Sequence, residues 1–440
     1  MPTAAFMTLG CKVNQFETET MEGLFKQGGY EIVPFESPAD VYVVNTCAVT
    51  NVGERKSRQA IRRAARENPE AIIAVCGCYS QVRPEDVKAL AGVHVVLGTK
   101  ERGRIVEYVE RAARERGRLL DGVGDVMHTE SFEDIPLYDM PRRTRAFLKI
   151  EDGCQNFCSY CIIPYARGPV KSRPLAAIRR EAEKLVGAGF LEIVLTGIHL
   201  GKFGSDLGEN INLTDACREV LQVPGLKRLR LGSLESIELS PELFELIRSD
   251  ERFCPHLHLP LQAGSDRVLR EMNRHYDTAE FARLIEQVER ELPGVAVSTD
   301  IIVGFPGETE EDFAQGLQFA EKMNFSRMHV FPYSRRDGTP AAAREDQVPE
   351  PVKKERVHRM QALAERKSGE FCRSFLGKTM RVLFETNDHG LTDGLTDNYI
   401  RVYTKDEVTC GEIYQVELLE AFQDGVLGRV KHPVDWQGKL

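Results

Sequence analysis

EDGCQNFCSYCIIPYARG, residues 151–168, sets Cys154, Cys158 and Cys161 at the spacing C-x3-C-x2-C. The apolar run AFLKI (146–150) just before it has strand character. The thiols therefore follow a strand's carboxyl end, where parallel α/β sheets keep their ligands. Thiolates this close on one loop bind iron–sulfur or zinc. Structural zinc wants a fourth ligand, and the flanks offer no nearby Cys or His, since His128 lies beyond a long linker. Three ligands leave one iron of a [4Fe–4S] cube open to a small molecule. Three unrelated thiols are the alternative, against which two such tight gaps speak. Tyr160 either packs in the ordinary way or stacks on a bound adenine.

Around this loop the chain reads as alternating strands and helices. Before it, apolar runs at 4–9, 41–46, 71–76 and 93–98 predict strands, with helices at 16–30, 53–67, after Pro84 and at 101–116. That alternation predicts a doubly wound parallel α/β domain over 1–120. Residues 121–145, rich in Gly, Asp and Pro and ending near PRRTR, read as a linker. From 146 to about 370, strands at 146–150, 192–196, 227–232, 256–260, 295–303 and 327–332 fit a partial (β/α) barrel closed by a charged helix. Residues 371–436 switch to short β runs punctuated by Gly and Asp, which predicts a small β-barrel or sandwich. The fold class is α/β with a terminal β domain.

Composition narrows the function. Eleven cysteines in 440 residues are too sparse for a disulfide scaffold, so clustered thiols point to metal or catalysis. No apolar run reaches the roughly 18 residues of a membrane span. The start MPTAAFMTLGCKVN lacks a basic leader, so no membrane partner and a cytoplasmic location are expected. The net charge of −9 means that any nucleic acid must be attracted by local patches.

Cys11 in LGCKVNQ, Cys47 in VNTCAVT and Cys78 in CGCYSQ each follow a predicted strand of the first domain. Successive carboxyl ends of a parallel sheet share one edge, so these thiols can converge. Free cysteines are also commonly small buried hydrophobes, and the residues leave both readings open. Cys217, Cys254, Cys372 and Cys410 have no partner at metal spacing and read as structural.

C-x3-C-x2-C with an aromatic before the last Cys, opening a partial barrel, resembles the radical S-adenosylmethionine enzymes. VLTGIHLG (194–201), GSLES (232–236), HLPLQAGS (258–265) and STDIIVGFPGE (298–308) match that family in order. The resemblance implies a [4Fe–4S] cluster on Cys154, Cys158 and Cys161. It also implies S-adenosylmethionine contacts at Tyr160, Thr196, Gly197, Ser233, Glu235, Gln262 and Gly304. LGC-x2-N, N-T-C and G-C-x2-Q ahead of such a core, with a terminal β domain, resemble the methylthiotransferases over roughly 1–435. This implies a second cluster on Cys11, Cys47 and Cys78 that holds the sulfur group; Cys76 competes for the third place, but Cys78 matches the motif. One S-adenosylmethionine would methylate that sulfur and a second would be cleaved to a radical.

LGCKVNQFETE (9–19) is similar to the branch that modifies N6-threonylcarbamoyladenosine at tRNA position 37. The expected partners are a tRNA anticodon stem-loop, an external electron donor and a sulfur source. Arg55, Arg58 and Arg62 on one basic helix, with Arg142 and Arg143 beside the cluster loop, suit a phosphate backbone, or are merely solvated faces. The terminal domain resembles the TRAM domain. Residues 378–431 carry six Lys/Arg and ten Asp/Glu, so Lys378, Arg381, Arg401 and Lys405 would have to gather on one face, with Tyr399 and Tyr403 stacking on bases. The rival readings are a methylthiotransferase acting on isopentenyladenosine or a ribosomal protein, a single-cluster methyltransferase, and a zinc-stabilised RNA-binding protein without catalysis.

Overall fold

A computed structural model of the chain describes residues 1–129, 131–137, 143–208, 210–235 and 239–434. The amino-terminal part runs β1 (Thr3–Thr8), α1 (Lys12–Gln27), β2 (Glu31–Val33), β3 (Val41–Thr46), α2 (Asn51–Glu67), β4 (Ile72–Gly77), α3 (Cys78–Val82), α4 (Pro84–Lys88), β5 (Val93–Leu97), α5 (Ile105–Arg114) and β6 (Leu120–Gly122). Its strands form one parallel sheet in the order β2-β1-β3-β4-β5-β6. VYVVNT and IIAVCG are buried along their whole length, as strands covered by helices on both faces must be. Tyr42, Val44, Ile73 and Val75 pack with Ile61 of α2 on one face. Val43, Ile72 and Ala74 pack with Met21 and Phe25 of α1 on the other. The first helix begins at Lys12, earlier than the expected 16–30, because Cys11 already takes its N-cap position. The sheet also extends to Gly122, into the stretch read as linker.

The central part runs β7 (Ala146–Lys149), β8 (Glu151–Asp152), α6 (Ile163–Arg167), β9 (Lys171–Ser172), α7 (Leu175–Gly187), β10 (Glu192–Thr196), α8 (Leu213–Leu221), β11 (Arg228–Leu231), α9 (Pro241–Ser249), β12 (His256–His258), α10 (Asp266–Glu271), α11 (Thr278–Glu291), β13 (Ala296–Val303), α12 (Glu310–Lys322) and β14 (Phe325–Pro332). Two parallel sheets, β11-β10-β7 and β12-β13-β14, are joined by the single bridges Leu229↔Phe253 and Ser233↔His258. The six strands thus curve into a partial barrel with β7 and β14 at its edges. Capping boxes start the helices that return the chain: Asn212 with Asp215, Asp277 with Glu280, and Thr309 with Asp312. Leu148, Leu195, Leu231, Leu257 and Val297 share one large core with the covering helices.

After α13 (Pro340–Ala343) and α14 (Glu350–Arg373), strands β15 (Thr379–Asp388), β16 (Leu391–Thr396), β17 (Arg401–Thr404), β18 (Ile413–Phe422) and β19 (Gly425–Pro433) close a small barrel. It docks where β7, β10 and β11 begin. Arg228 donates to the carbonyls of Leu395 and Arg381 at 3.1 and 2.6 Å, and Arg230 to that of Asp397 at 2.9 Å. Arg145 pairs with Glu385 at 2.5 Å.

Candidate active site

Three turns at the carboxyl edge of the first sheet carry cysteines, and two need a preceding glycine. Gly10 has φ +107°, and a Cβ there would lie 3.1 Å from Cys47 Sγ. Gly77 has φ +99°, and a Cβ would lie 2.5 Å from Asn45 Oδ1 and 2.6 Å from the Thr46 carbonyl. Only glycine tolerates both the angle and the crowding. The thiol of Cys78 sits in the field of Cys11 and Cys47, so the structure brings these three together. Asn14 fastens the turns: its Nδ2 donates to the carbonyls of Leu9 (2.7 Å) and Thr46 (3.0 Å), and its Oδ1 accepts from Arg167 Nη2 (2.7 Å). Cys76 faces away, its Sγ 3.9 Å from Met21 Sδ.

The second trio is held by the barrel. Arg274 Nη1 donates to Cys158 Sγ at 3.3 Å and its other arm pairs with Glu235. Cys154 Sγ lies 3.6 Å from His199 Nδ1. Asn273 Nδ2 donates to the carbonyls of Asn156 and Phe157, and Ser159 N donates to the Met272 carbonyl at 2.9 Å. Tyr160 is partly buried against the main core. Thr196 and Gly197 end β10, Ser233 and Glu235 follow β11, Gln262 follows β12 and Gly304 follows β13. They share a rim with the cysteine loop. Gln262 has φ +67° and donates its N–H to the Asp300 carbonyl at 2.8 Å. Gly304 N donates to Glu308 at 3.0 Å.

The donor sets suit iron–sulfur cubes that each lack one protein ligand. All these cysteines are free, and Cys76, the next cysteine to Cys78 in sequence, packs its Sγ on Met21. Burial pushes the thiols of Cys78 and Cys161 up to about 12. Buried thiolates need a compensating cation, and a bound metal deprotonates its thiol ligands. Burial also raises the Cys254 thiol to about 12. Convergence, rather than pKa, therefore distinguishes ligand candidates from structural thiols.

A buried ion network lies between the two trios. Arg167 Nη1 lies 2.7 Å from Glu17 Oε1 and 2.9 Å from Asp152 Oδ1. Lys149 reaches both carboxylates at 2.7 Å, and Arg102 reaches Glu17 at 2.5 Å. Burial opposes ionisation, but Arg102, Arg167 and Lys149 hold Glu17 well below the usual carboxylate range. Arg167 also lies in the field of Cys47 and Cys78. Helix α6, which carries it, begins two residues after Cys161. Glu151 accepts from the N–H groups of Ile198 (2.7 Å) and His199 (2.6 Å) through Oε2, while its buried Oε1 has no partner. Burial lifts its pKa to about 8.

Sequence reasoning missed Glu17, Glu151, Arg167, His199 and Arg274, together with a cluster of His258, Asp300 and His329 on β12–β14. For Asn14 and Glu17 a signal was present, because positions three and six after Cys11 share one helix face. A cavity of about 570 Å³ between α14, β14 and the small barrel is lined by neither cysteine trio.

The proposed RNA contacts are dispersed. Arg55 and Arg62 are exposed on α2, whereas Arg58 pairs with Glu54 at 3.8 Å and donates to Tyr79 at 3.2 Å. Arg143 pairs with Glu19 at 2.8 Å, and Arg142 lies outside the described residues. Lys378 is exposed over the Phe375 ring. Arg381 turns into the domain junction, donating to the Glu251 carbonyl at 3.0 Å, and Arg401 faces Asp393 and Asp424. Tyr399 is stacked on His256 at 4.5 Å inside that junction, and Tyr403 is buried with its hydroxyl on Asp424. The small barrel's own carboxylates take up Arg381 and Arg401, so these two do not form one cationic face with Lys378 and Lys405.

Two family models match the chain: an uncharacterized protein family, UPF0004, over residues 3–98, and the radical SAM superfamily over residues 148–320. The chain is 44% identical over 440 residues to the threonylcarbamoyladenosine tRNA methylthiotransferase MtaB of Bacillus subtilis, covering 98% of this chain and 97% of the relative. It is 37% identical to the protein of that name from Thermotoga maritima, over 97% of this chain and 96% of the relative. Among solved structures it resembles the radical S-adenosylmethionine methyltransferase TsrM of Kitasatospora setae, with a TM-score of 0.58, 16% identity, and 78% and 77% of the two chains covered. That likeness concerns the fold.

Proposed function

Since the chain belongs to the radical S-adenosylmethionine tRNA methylthiotransferase family, we propose that it inserts a methylthio group at carbon 2 of N6-threonylcarbamoyladenosine, at position 37 of the tRNA anticodon stem-loop. The observation that carries this is the pairing of two three-thiol sets across α6, each short of one ligand for a cube. When bound, the two [4Fe–4S] clusters and S-adenosylmethionine supply the methylated sulfur and the radical chemistry that an unactivated C–H bond demands.

The chain's own residues hold and orient these groups. Cys11, Cys47 and Cys78 would hold the sulfur-bearing cluster, with Asn14 fixing the turns and Arg167 offsetting their negative charge. Cys154, Cys158 and Cys161 would hold the radical-generating cluster. Arg274 donates to Cys158 and fixes Glu235, and so orients both a cluster ligand and a residue of the cofactor rim. Thr196, Gly197, Ser233, Gln262 and Gly304 would line the S-adenosylmethionine site on the strand ends. An external electron donor and a sulfur source complete the cycle, and a tRNA substrate puts the enzyme in the cytoplasm. No helix of the described residues is long and apolar enough to cross a membrane.

Nucleoside mass spectrometry of tRNA from cells with and without the gene tests the reading. Loss of the methylthio group from threonylcarbamoyladenosine is the expected result. Its persistence in the deletion strain, or loss from isopentenyladenosine instead, refutes it.

A further inference from the structure

Lys12 follows Cys11 directly: Cys11 holds the extended N-cap position and Lys12 opens helix α1. Cys11 joins the thiol trio, while the Lys12 side chain passes over the Phe147 ring, 5.9 Å from its centroid, on edge strand β7. Its ammonium makes no hydrogen bond or ion pair among the described residues. Around it stand Arg145, Arg230, Tyr399 and Glu192. Arg230 is committed to Glu192 at 2.7 Å and to the Asp397 carbonyl. Arg145 Nη1 is buried without a hydrogen-bond acceptor, the nearest carboxylate oxygen being Glu192 Oε1 at 3.9 Å. His256, 6% exposed, uses Nε2 on Ser298 at 3.0 Å, and its Nδ1 is also buried without a partner. Cations outnumber carboxylates here: Lys12, Arg145, Arg228 and Arg230 face Glu192, while Glu385 takes Arg145 from the small barrel and Asp300 pairs with His258 at 3.3 Å. The excess positive charge speaks against a metal ion on His258, Asp300 and His329 and for an anionic ligand.

We propose that Lys12, backed by Arg145 and His256, is the anion-binding end of the substrate chamber and takes the carboxylate of the N6-threonylcarbamoyl group. This rests on the substrate reading above and adds the residues that select the substrate. Carbon 2 and carbon 6 both flank N1 of the six-membered ring, so the C2–H and C6–N6 bonds point in divergent directions. An adenine presenting carbon 2 to the Cys11 trio therefore carries its N6 substituent to one side of that trio, which we place on the barrel side, at Lys12. A charge-assisted hydrogen bond to a carboxylate is the strong kind, and an apolar N6 substituent would leave these donors unpaired.

The test compares two synthetic anticodon stem-loops, one with threonylcarbamoyladenosine and one with its threonyl methyl ester, on anaerobic holoenzyme. The wild type is expected to favour the acid about tenfold or more, in both Kd and kcat/KM. In Lys12→Gln the acid-to-ester ratio should fall to about one, and Lys12→Arg should restore a preference for the acid. A wild type that treats acid and ester alike overturns the proposal. So does a Lys12→Gln protein that keeps the wild-type ratio, including the case of equal losses on both stem-loops, which is what a backbone phosphate contact would produce. Conversion of neither stem-loop by iron-replete wild type, with conversion of a different modified adenosine, defeats the substrate reading itself and this proposal with it.

Discussion

Arg167 Nη1 lies 2.7 Å from Glu17 Oε1, tying the helix after the three-cysteine loop to the helix that starts beside Cys11. Both groups are almost fully buried, at 1% and 4% exposure. A buried pair stabilises little against a well-packed apolar alternative, yet removing one partner is costly because the other stays buried and charged. The network therefore acts chiefly as a register device that sets the two cysteine trios side by side. Arg167→Met should lower the stability of the metal-free protein by about 3–5 kcal/mol, read from anaerobic urea denaturation. Glu17 ionises below its ordinary 4.5 in the fold, so its contribution is present above that pH and is lost as pH falls below it. The variant should show a shallower loss on acidification. Equal stability of the two proteins at pH 7 would dispose of the network's role.

The two thiols nearest each other in sequence at the first site should separate cleanly by iron content. Wild type reconstituted without oxygen should carry about eight irons per chain, and Cys78→Ala about four. Cys76→Ala should stay near eight, because that side chain packs on Met21. Cys47→Ala should still cleave S-adenosylmethionine but yield no methylthio product, whereas Cys154→Ala should form no 5′-deoxyadenosine. Eight irons in Cys78→Ala would remove it from the ligand set.

Arg274→Gln removes a positive charge and a donor from Cys158 Sγ. Losing an outer partner of a metal ligand typically costs 10–100-fold in activity. S-adenosylmethionine cleavage should fall by about that much, with the cluster's reduction potential more negative in an electron paramagnetic resonance titration. An unchanged potential would reduce Arg274 to a packing role.

Glu151 supplies a pH signature. Burial raises its pKa from 4.5 to about 8, so the folded chain keeps a proton that the unfolded chain releases above pH 4.5. Its contribution to stability is present below that value and declines as pH rises toward 8. Glu151→Gln should remove this decline, so thermal unfolding of the metal-free proteins should diverge in the variant's favour from pH 5 to 8. Parallel curves would show that the carboxyl is ionised throughout.

The frame of the fold was legible because long apolar runs such as VYVVNT can only be buried strands, and strand ends located the cysteine turns. The choice between Cys76 and Cys78 was not legible from periodicity. Strand alternation puts i and i+2 on one face, but the strand stops at Gly77, whose φ of +99° redirects Cys78. Arg274 and Arg167 were invisible for another reason. Their partners Cys158 and Glu17 lie 116 and 150 positions away, and no spacing rule reaches that far. The acidity of residues 378–431 was legible in the sequence, but not which side chains it would engage: Asp397 takes Arg381, and Asp393 and Asp424 take Arg401.

With that face neutralised, the outer side of α2 is the better candidate for backbone contact. Arg55, Lys56, Arg62 and Arg66 are exposed and make no ion pair among the described residues, unlike Arg58 and Arg63. Arg55, Arg62 and Arg66 fall at i, i+7 and i+11, one row roughly 16 Å long. The first turn of this helix packs on Cys47, where a Gly53 Cβ would lie 3.4 Å from Sγ, so an RNA strand along the row would lead its bases toward the thiol edge. Each phosphate neutralised adds about 0.7–0.9 to the slope of log affinity against log salt. The double variant Arg55→Glu, Arg62→Glu should therefore weaken stem-loop binding most at low salt and lower that slope by roughly 1 to 2. Iron content and the acid-to-ester preference should be retained. A slope identical to wild type would mean the row is only a solvated helix face, and the tRNA backbone would have to run elsewhere.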